Sequence, residues 1–188
     1  MTRLLCVCAQ AKVWDYVDGK CIWTMPVADG TCIAWSVDGA TLLVGTSHGS
    51  ISAWTLPAQS DGDATVLAPE TYCTPFSGGA AAHGQCRVDC LCMLTRDRLA
   101  SKSSDGKCCI WDISKPTLVA MVTSFREPGA AKAGANQVGC TPCGSVLLIG
   151  SNTGDVSAWS TVDGSKLGTL QGGKARFVLC AAHRQCVD

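Results

Sequence analysis

Residues 99–112 carry the sequence LASKSSDGKCCIWD, in which two short runs flank a Ser-Asp-Gly turn. Trp111 lies five residues after the glycine of that turn. Two strand-like runs joined by a short segment containing glycine are the usual signal of a β-hairpin. The stretch therefore predicts two antiparallel strands, the second of which ends at the tryptophan.

The same arrangement recurs along the chain. Trp54 follows Gly49 by five residues, Trp159 follows Gly154 by five residues, and Trp14 follows a degenerate turn that lacks glycine. The intervals between successive tryptophans are 40, 57 and 48 residues. Self-similarity at this period indicates a repeat architecture built from one small unit of supersecondary structure. Helical periodicity is absent, so we expect each unit to be a small β-sheet.

Composition excludes several classes of protein. The chain has 188 residues, of which 47% are hydrophobic and 16% are charged, so a disordered chain is not expected. Fifteen basic residues balance fifteen acidic ones, which removes the electrostatic argument for a direct nucleic-acid partner. No apolar run approaches the length of a transmembrane helix, and we expect no membrane partner.

Fourteen cysteines could form a disulfide framework in a secreted chain. Most of them occupy strand positions that valine or isoleucine could fill, and a free cysteine behaves as a small buried hydrophobe. The short apolar run near the N-terminus predicts a strand instead of a signal peptide. We therefore expect free thiols and an intracellular protein, either cytoplasmic or nuclear.

Each repeat is interpreted as a sheet of up to four strands within one domain, residues 1–188. We expect a fourth strand of the second repeat near residues 64–67. The second strands of the repeats are expected to bury Leu42, Val44, Leu99, Leu147 and Ile149. The predicted units are residues 4–25 completed by residues 175–187, then 31–70, 83–123 and 135–170.

Residues 99–112 closely resemble the consensus of the WD-repeat family. The resemblance implies an all-β fold, a β-propeller of about four blade equivalents, which is few for this family and suggests an incomplete ring. It also implies a hydrogen-bonded tetrad of a histidine, a hydroxyl, an aspartate and the blade tryptophan. The matching residues here are His83, Ser103, Asp105 and Trp111. The other repeats depart from this pattern because His48 and Thr153 stand at the aspartate position.

A narrower resemblance concerns the segment from Pro75 to Ser103, which is similar to one blade of the Polycomb subunit called embryonic ectoderm development protein. The matching positions are Pro75, Ser77, His83, Val88 to Cys90 and Ser101 to Ser103. That family binds a trimethylated histone tail through an aromatic cage and also holds a methyltransferase subunit. The corresponding strand here contains Asn136-Gln137-Val138 and has no aromatic residue, so it lacks part of the cage.

Two groups of residues could bind a metal ion. Cys140 and Cys143 have zinc-knuckle spacing, although a hairpin turn is also expected there. Cys180, His183 and Cys186 form a second possible ligand set near the C-terminus. Phosphate-binding loops and the usual hydrolase motifs are absent from the sequence, so no catalytic residue and no cofactor is predicted.

The function that the WD-repeat resemblance implies is non-catalytic scaffolding of a multiprotein complex. Two alternatives stay open, namely the Polycomb-type chromatin subunit and a metal-binding protein that uses the Cys/His sets. We expect other proteins as partners. We also expect possible oligomers, because unpaired edge strands favour pairing with another chain.

Overall fold

A computed structural model describes residues 3–7, 10–15, 17–56, 65–66, 83–114, 120–126, 137–150 and 154–171. The described residues form strands and turns and contain no helix, in agreement with the predicted all-β class. The strands are β1 (Arg3–Val7), β2 (Gln10–Asp15), β3 (Lys20–Pro26), β4 (Gly30–Trp35), β5 (Thr41–Thr46), β6 (Ile51–Thr55), β7 (Thr65–Val66), β8 (Val88–Thr95), β9 (Arg98–Ser103), β10 (Lys107–Asp112), β11 (Ala120–Arg126), β12 (Val138–Cys140), β13 (Val146–Gly150), β14 (Val156–Ser160) and β15 (Lys166–Leu170).

The strands form four sheets. The first sheet has the order β1-β2-β3-β7, and the second has the order β4-β5-β6. The third sheet contains β8 to β11 and the fourth contains β12 to β15, each in chain order. Strands that are neighbours both in the chain and in a sheet are antiparallel, as short hairpin connections require.

Strand β7 differs from the sequence-based expectation. It was expected to complete the second sheet beside β6, but it pairs in parallel with β3, with Trp23 opposite Thr65 and Thr24 opposite Val66. A strand of two residues carries too little side-chain alternation to specify which sheet edge it joins. The pairing therefore depends on the path of the chain, which the local sequence does not encode.

Three hydrophobic clusters lie between successive sheets. The first and second sheets bury Trp23 and Trp54 between them, and the third and fourth bury Ile110 and Trp159. The cluster between the second and third sheets consists of Leu43, Ile51, Ala53, Val88, Leu91, Met93, Leu99, Cys109 and Trp111. Each inner sheet is therefore covered on both faces, and the sheets pack in chain order.

Alternation along single strands explains how one sheet supplies two clusters. Leu42 and Val44 on β5 belong to the cluster with the first sheet, whereas Leu43 belongs to the cluster with the third. On β10, Cys108 belongs to the cluster with the fourth sheet, whereas Cys109 belongs to the cluster with the second. Side chains on a strand point alternately to opposite faces, so both faces of these strands are apolar. The predicted burial on the second strands is confirmed for Leu42, Val44, Leu99, Leu147 and Ile149.

Two turn glycines lie directly against the neighbouring sheet. Gly49 has a φ of +80°, and a Cβ atom added there would lie 2.5 Å from the carbonyl oxygen of Gly84. Gly144 has a φ of +69°, and its Cβ atom would collide with the carbonyl group of Leu94. Each position requires glycine for two reasons, because the backbone is left-handed and because the neighbouring sheet leaves no space for a side chain. In the described part of the chain, nothing helical has the length and apolarity needed to cross a membrane.

Candidate functional site

The repeated tryptophans occupy equivalent places in their sheets. Trp54 pairs with Leu42, Trp111 with Leu99 and Trp159 with Leu147, in each case across the hairpin that the turn closes. Trp54, Trp111 and Trp159 are buried, while Trp14 is half-buried. The strand register therefore allows positions in the second, third and fourth sheets to be compared residue by residue. In the first sheet, Trp14 lies opposite Leu4.

A buried hydrogen-bond network surrounds Trp111. The indole Nε1 of Trp111 donates to the hydroxyl of Ser101 over 2.8 Å, and the same hydroxyl lies 2.7 Å from Nε2 of His83. All three side chains are 3% exposed or less. Ser101 thus joins the segment before β8 to strands β9 and β10.

The hydroxyl that joins the histidine to the tryptophan is Ser101, whereas the sequence-based tetrad named Ser103. Ser103 donates its hydroxyl hydrogen to Asp105 Oδ1 instead, and that carboxylate oxygen also accepts the backbone N–H of Lys107 over 3.0 Å. Residues 101 and 103 lie on the same face of β9, so alternation could not distinguish them. Only Ser101 lies beside both the indole of Trp111 and the imidazole of His83.

Burial strongly lowers the pKa of His83, to about 4, and the positive charge of Lys107 acts in the same direction. The charge of Asp105 opposes this shift without cancelling it. His83 is therefore neutral at pH 7. Its Nδ1 atom is buried and finds no hydrogen-bond partner among the described residues. Since Ser101 is only 2% exposed, a substrate has no access to this pair, and the arrangement connects strands.

The other repeats replace the Ser101 hydroxyl with aliphatic groups. Val44 and Ile149 occupy the same position, two residues after the partner of the repeat tryptophan. Nε1 of Trp54 has no acceptor among the described residues. Nε1 of Trp159 instead donates to Ser157 on its own strand over 2.9 Å. In these repeats the tryptophan still fills space in the core, although the network that surrounds Trp111 is absent there.

The residues expected at the aspartate position of these repeats are also placed differently. His48 is exposed in the turn between β5 and β6, and its Nδ1 lies 3.8 Å from Oδ2 of Asp29 and 3.1 Å from the hydroxyl of Ser47. Thr153 lies outside the described residues. Asp105 therefore accepts hydrogen bonds within its turn, whereas His48 does not take this place in its own turn.

The structure shows no metal site among the described residues, and it describes only two of the five candidate ligands, Cys140 and Cys143. No group of three or more His, Cys, Asp or Glu side chains that could hold a metal ion occurs among residues that the structure describes. Cys140 ends strand β12, and exposed Cys143 lies in the following hairpin turn. Cys180, His183 and Cys186 lie outside the described residues. The described cysteines that are free are Cys21, Cys32, Cys86, Cys90, Cys92, Cys108, Cys109, Cys140 and Cys143.

A groove of about 160 Å³ lies between the turns of the second and third sheets. Arg96 and Asp97 line it from the turn between β8 and β9, and Asp38 lines it from the turn between β4 and β5. The remaining lining residues are Ser36, Thr41, Leu43 and Ile113. The hydroxyl of Ser36 and the N–H of Ala40 lower the pKa of Asp38, as does the nearby charge of Arg96. The groove therefore offers both signs of charge beside aliphatic surface. Sequence reasoning did not single out these residues, because an isolated charged turn is ordinary at a hairpin.

Neither a family model nor a curated protein matches the chain.

Proposed function

We propose that the chain is a WD-repeat module that scaffolds a protein complex and has no catalytic activity of its own. Support comes from four sheets that pack face to face in chain order, with one hydrophobic cluster at each interface. Sheets packed in this way present their turns as fixed groups at their edges. Loops that a rigid framework holds in place are common sites of protein binding.

The groove between the second and third sheets is the observation that carries the proposal. Its charged residues come from turns of two different sheets, so its shape depends on how those sheets pack. Ile113, which is half-buried, supplies apolar surface beside Asp38 and Arg96, whereas Leu43 is fully buried. A polar rim beside aliphatic surface suits a segment of another protein.

The buried network is consistent with a structural role for the one set of residues that resembles a catalytic group. Ser101 shares its hydroxyl between an imidazole and an indole, and all three groups are inaccessible to a substrate. A nucleophile that is activated by a histidine must reach the bond that it attacks. We therefore assign His83, Ser101 and Trp111 to the framework.

The proposal is tested by comparing the proteins that associate with three tagged forms of the full chain in extracts of its native cells. One form is unchanged, one carries Asp38→Lys and Arg96→Glu in the groove, and one carries Asp18→Lys on an exposed hairpin of the first sheet. We expect the same partners with the unchanged form and the Asp18 variant, and loss of a defined subset with the groove variant. The groove variant should have a lower thermal midpoint, because Asp38 accepts hydrogen bonds from Ser36 and Ala40, so the comparison is made at a temperature at which all three forms are folded. Partner sets that are identical for all three would contradict the assignment of the groove.

A further inference from the structure

Two cysteine thiols from different sheets meet at one backbone carbonyl group. The sulfur of Cys92, on β8 of the third sheet, lies 3.6 Å from the carbonyl oxygen of Met93. The sulfur of Cys140, on β12 of the fourth sheet, lies 3.3 Å from the same oxygen. Each thiol also shifts the pKa of the other, as neighbouring thiols do. Residues that are 48 positions apart in sequence thus bring two thiols together between sheets.

A third cysteine, close to this pair in sequence, is exposed to solvent. Cys143 follows Cys140 by three residues, and its side chain is exposed in the turn between β12 and β13. Its sulfur lies 2.9 Å from the hydroxyl of Ser145 and 3.4 Å from the hydroxyl of Thr141. The Cys-x-x-Cys spacing puts an exposed thiol three residues from a half-buried one, and the charge of Cys143 acts on Cys140. Cys-x-x-Cys motifs support exchange between thiols and disulfides.

The turn that carries Cys143 has a counterpart that holds a carboxylate in the same place. In the turn between β4 and β5, Gly39 N–H donates to the Ser36 carbonyl over 2.9 Å, and Gly144 N–H donates to the Thr141 carbonyl over 2.8 Å. Asp38 precedes the glycine of the first turn as Cys143 precedes that of the second. Asp38 accepts hydrogen bonds from the Ser36 hydroxyl and from the Ala40 N–H over 3.0 Å. The equivalent groups at Cys143 are placed to stabilise a negative charge on sulfur.

The electrostatics of the three thiols differ accordingly. The hydroxyls of Ser145 and Thr141 lower the pKa of Cys143 to about 7, so a large fraction is thiolate at neutral pH. The S–H of Cys92 lowers the pKa of Cys140, while the same contact and burial raise the pKa of Cys92. Cys143 is therefore the exposed nucleophile, whereas Cys140 and Cys92 both donate their S–H groups to the Met93 carbonyl oxygen and are thiols before oxidation.

We propose that Cys143, Cys140 and Cys92 form a thiol–disulfide exchange site that reacts with small-molecule disulfides and stores the oxidation as a Cys92–Cys140 bridge between the third and fourth sheets. The site takes a low-molecular-weight disulfide of the general form RSSR as its oxidant. No other side chain is chemically changed in the sequence of reactions.

The exchange proceeds in three balanced steps. The Cys143 thiolate attacks one sulfur of RSSR, which forms a Cys143–SR bond and releases RS⁻. The thiolate of Cys140 then attacks the Cys143 sulfur, which forms Cys140–Cys143 and releases the second RS⁻. Cys92 loses its proton and attacks the Cys140 sulfur, which forms Cys92–Cys140 and returns Cys143 as a thiolate. The thiol protons of Cys140 and Cys92 end on two RSH molecules, so one disulfide is reduced while two protein thiols are oxidised.

The test treats the full chain at pH 7.4 with glutathione disulfide and identifies cross-linked tryptic peptides without reduction. Trypsin places Cys90 and Cys92 in one peptide and Cys140 and Cys143 in another, so fragmentation of the linked peptides identifies the bonded cysteines. We expect a Cys92–Cys140 link in the unchanged chain. Cys140→Ser should stop at glutathione bound to Cys143, and Cys92→Ser should stop at Cys140–Cys143.

Two further variants separate this site from general thiol oxidation. Cys143→Ser should slow formation of the Cys92–Cys140 link about tenfold or more, because the exposed thiolate is removed. Cys90→Ser is the matched control, since Cys90 lies on the same strand and its sulfur is 3.9 Å from the Val138 carbonyl oxygen. The control should form the link at the unchanged rate. A link that forms equally fast in Cys143→Ser, or an unchanged chain that accumulates glutathione on Cys143 without any link, would overturn the proposal.

Discussion

The second and third sheets place a tryptophan at the same position but surround its indole nitrogen differently. In the third sheet, Trp111 donates to Ser101, which also binds His83. In the second sheet, Val44 takes the place of Ser101, and Trp54 has no acceptor among the described residues. Both tryptophans are nevertheless 2% exposed or less. The comparison teaches that the position requires a large apolar side chain, whereas the polar network is a separate feature of one repeat.

This difference affects the stability of the two sheets. A buried N–H group without an acceptor costs about 1–3 kcal/mol relative to one that is satisfied. In the second sheet, Trp54 meets no acceptor among the described residues, and apolar packing with the first sheet stabilises it. The third sheet avoids the cost at Trp111 but depends on a shared hydroxyl. Loss of the Ser101 hydroxyl should therefore be more damaging than adding a hydroxyl at Val44, the equivalent place in the second sheet.

Ser101→Ala should have the largest effect. It removes the acceptor of Trp111 and the partner of His83 together, so we expect a loss of about 2–4 kcal/mol in the free energy of unfolding. Urea denaturation followed by tryptophan fluorescence measures the change. Ser104→Ala, at an exposed position of the adjacent turn, is the control and should change stability by less than about 0.5 kcal/mol. Equal stability of both variants would show that the network contributes nothing.

Acidification should weaken the third sheet through His83. The folded-state pKa is about 4, below the value of 6.5 for an unperturbed histidine, so the unfolded chain binds the proton more tightly. The stabilisation is complete above pH 6.5 and is lost as the pH falls from there towards 4. Between pH 7.5 and pH 5 we expect the free energy of unfolding to decrease by about 2 kcal/mol from this group.

The pH effect is measured by denaturant unfolding at several pH values for the unchanged chain and for His83→Gln. The variant should lose this part of the pH dependence, although it will be less stable throughout. His48→Gln serves as the exposed control and should keep the full slope. A slope that is unchanged in His83→Gln would assign the pH dependence to another group.

Asp105→Ala and His48→Ala form a pair at equivalent turn positions. Asp105 accepts hydrogen bonds from the Ser103 hydroxyl and the Lys107 N–H, so we expect a loss of about 1–2 kcal/mol on its removal. His48 is exposed, and its removal should cost less than about 0.5 kcal/mol. The shift of the thermal midpoint of each variant gives the comparison. A His48 variant that loses as much as the Asp105 variant would contradict the difference between the sheets.

Val44→Thr should have the smallest effect, and its sign is informative. The hydroxyl would stand where Ser101 stands in the third sheet and could accept the indole N–H of Trp54. We expect a gain of up to about 1 kcal/mol, since the new hydrogen bond satisfies a buried donor. Val13→Thr, at a fully buried site of the first sheet, is the matched control and should lose about 1–3 kcal/mol. If both variants lose equal stability, the indole of Trp54 does not use the added hydroxyl.

Much of the fold follows from local sequence. The turns before Trp54, Trp111 and Trp159 predicted the hairpins, because the turn residues and the strand alternation agree. Burial of Leu42, Leu99 and Leu147 followed from the same alternation. The grouping of strands into four sheets appears in the sequence as the spacing of these tryptophans.

Other features could not be obtained in this way. Ser101 and Ser103 share one face of β9, so only the three-dimensional position of His83 distinguishes their roles. The pairing of β7 with β3 joins residues distant in sequence, which a local pattern does not record. The thiol pair of Cys92 and Cys140 depends in the same way on the packing of two sheets. Long-range contacts set these details, whereas short-range periodicity sets the strands.

Gly49 and Gly144 have a consequence for how such a chain can change during evolution. Each glycine stands in one repeat, but the atoms that exclude a side chain from it belong to another, namely the carbonyl groups of Gly84 and Leu94. A duplicated or exchanged repeat would bring its own turn and leave behind the surface to which that turn is fitted. A turn and the neighbouring surface that it fits should therefore be inherited together. Recombination that separates the two should be selected against more strongly than recombination that moves both.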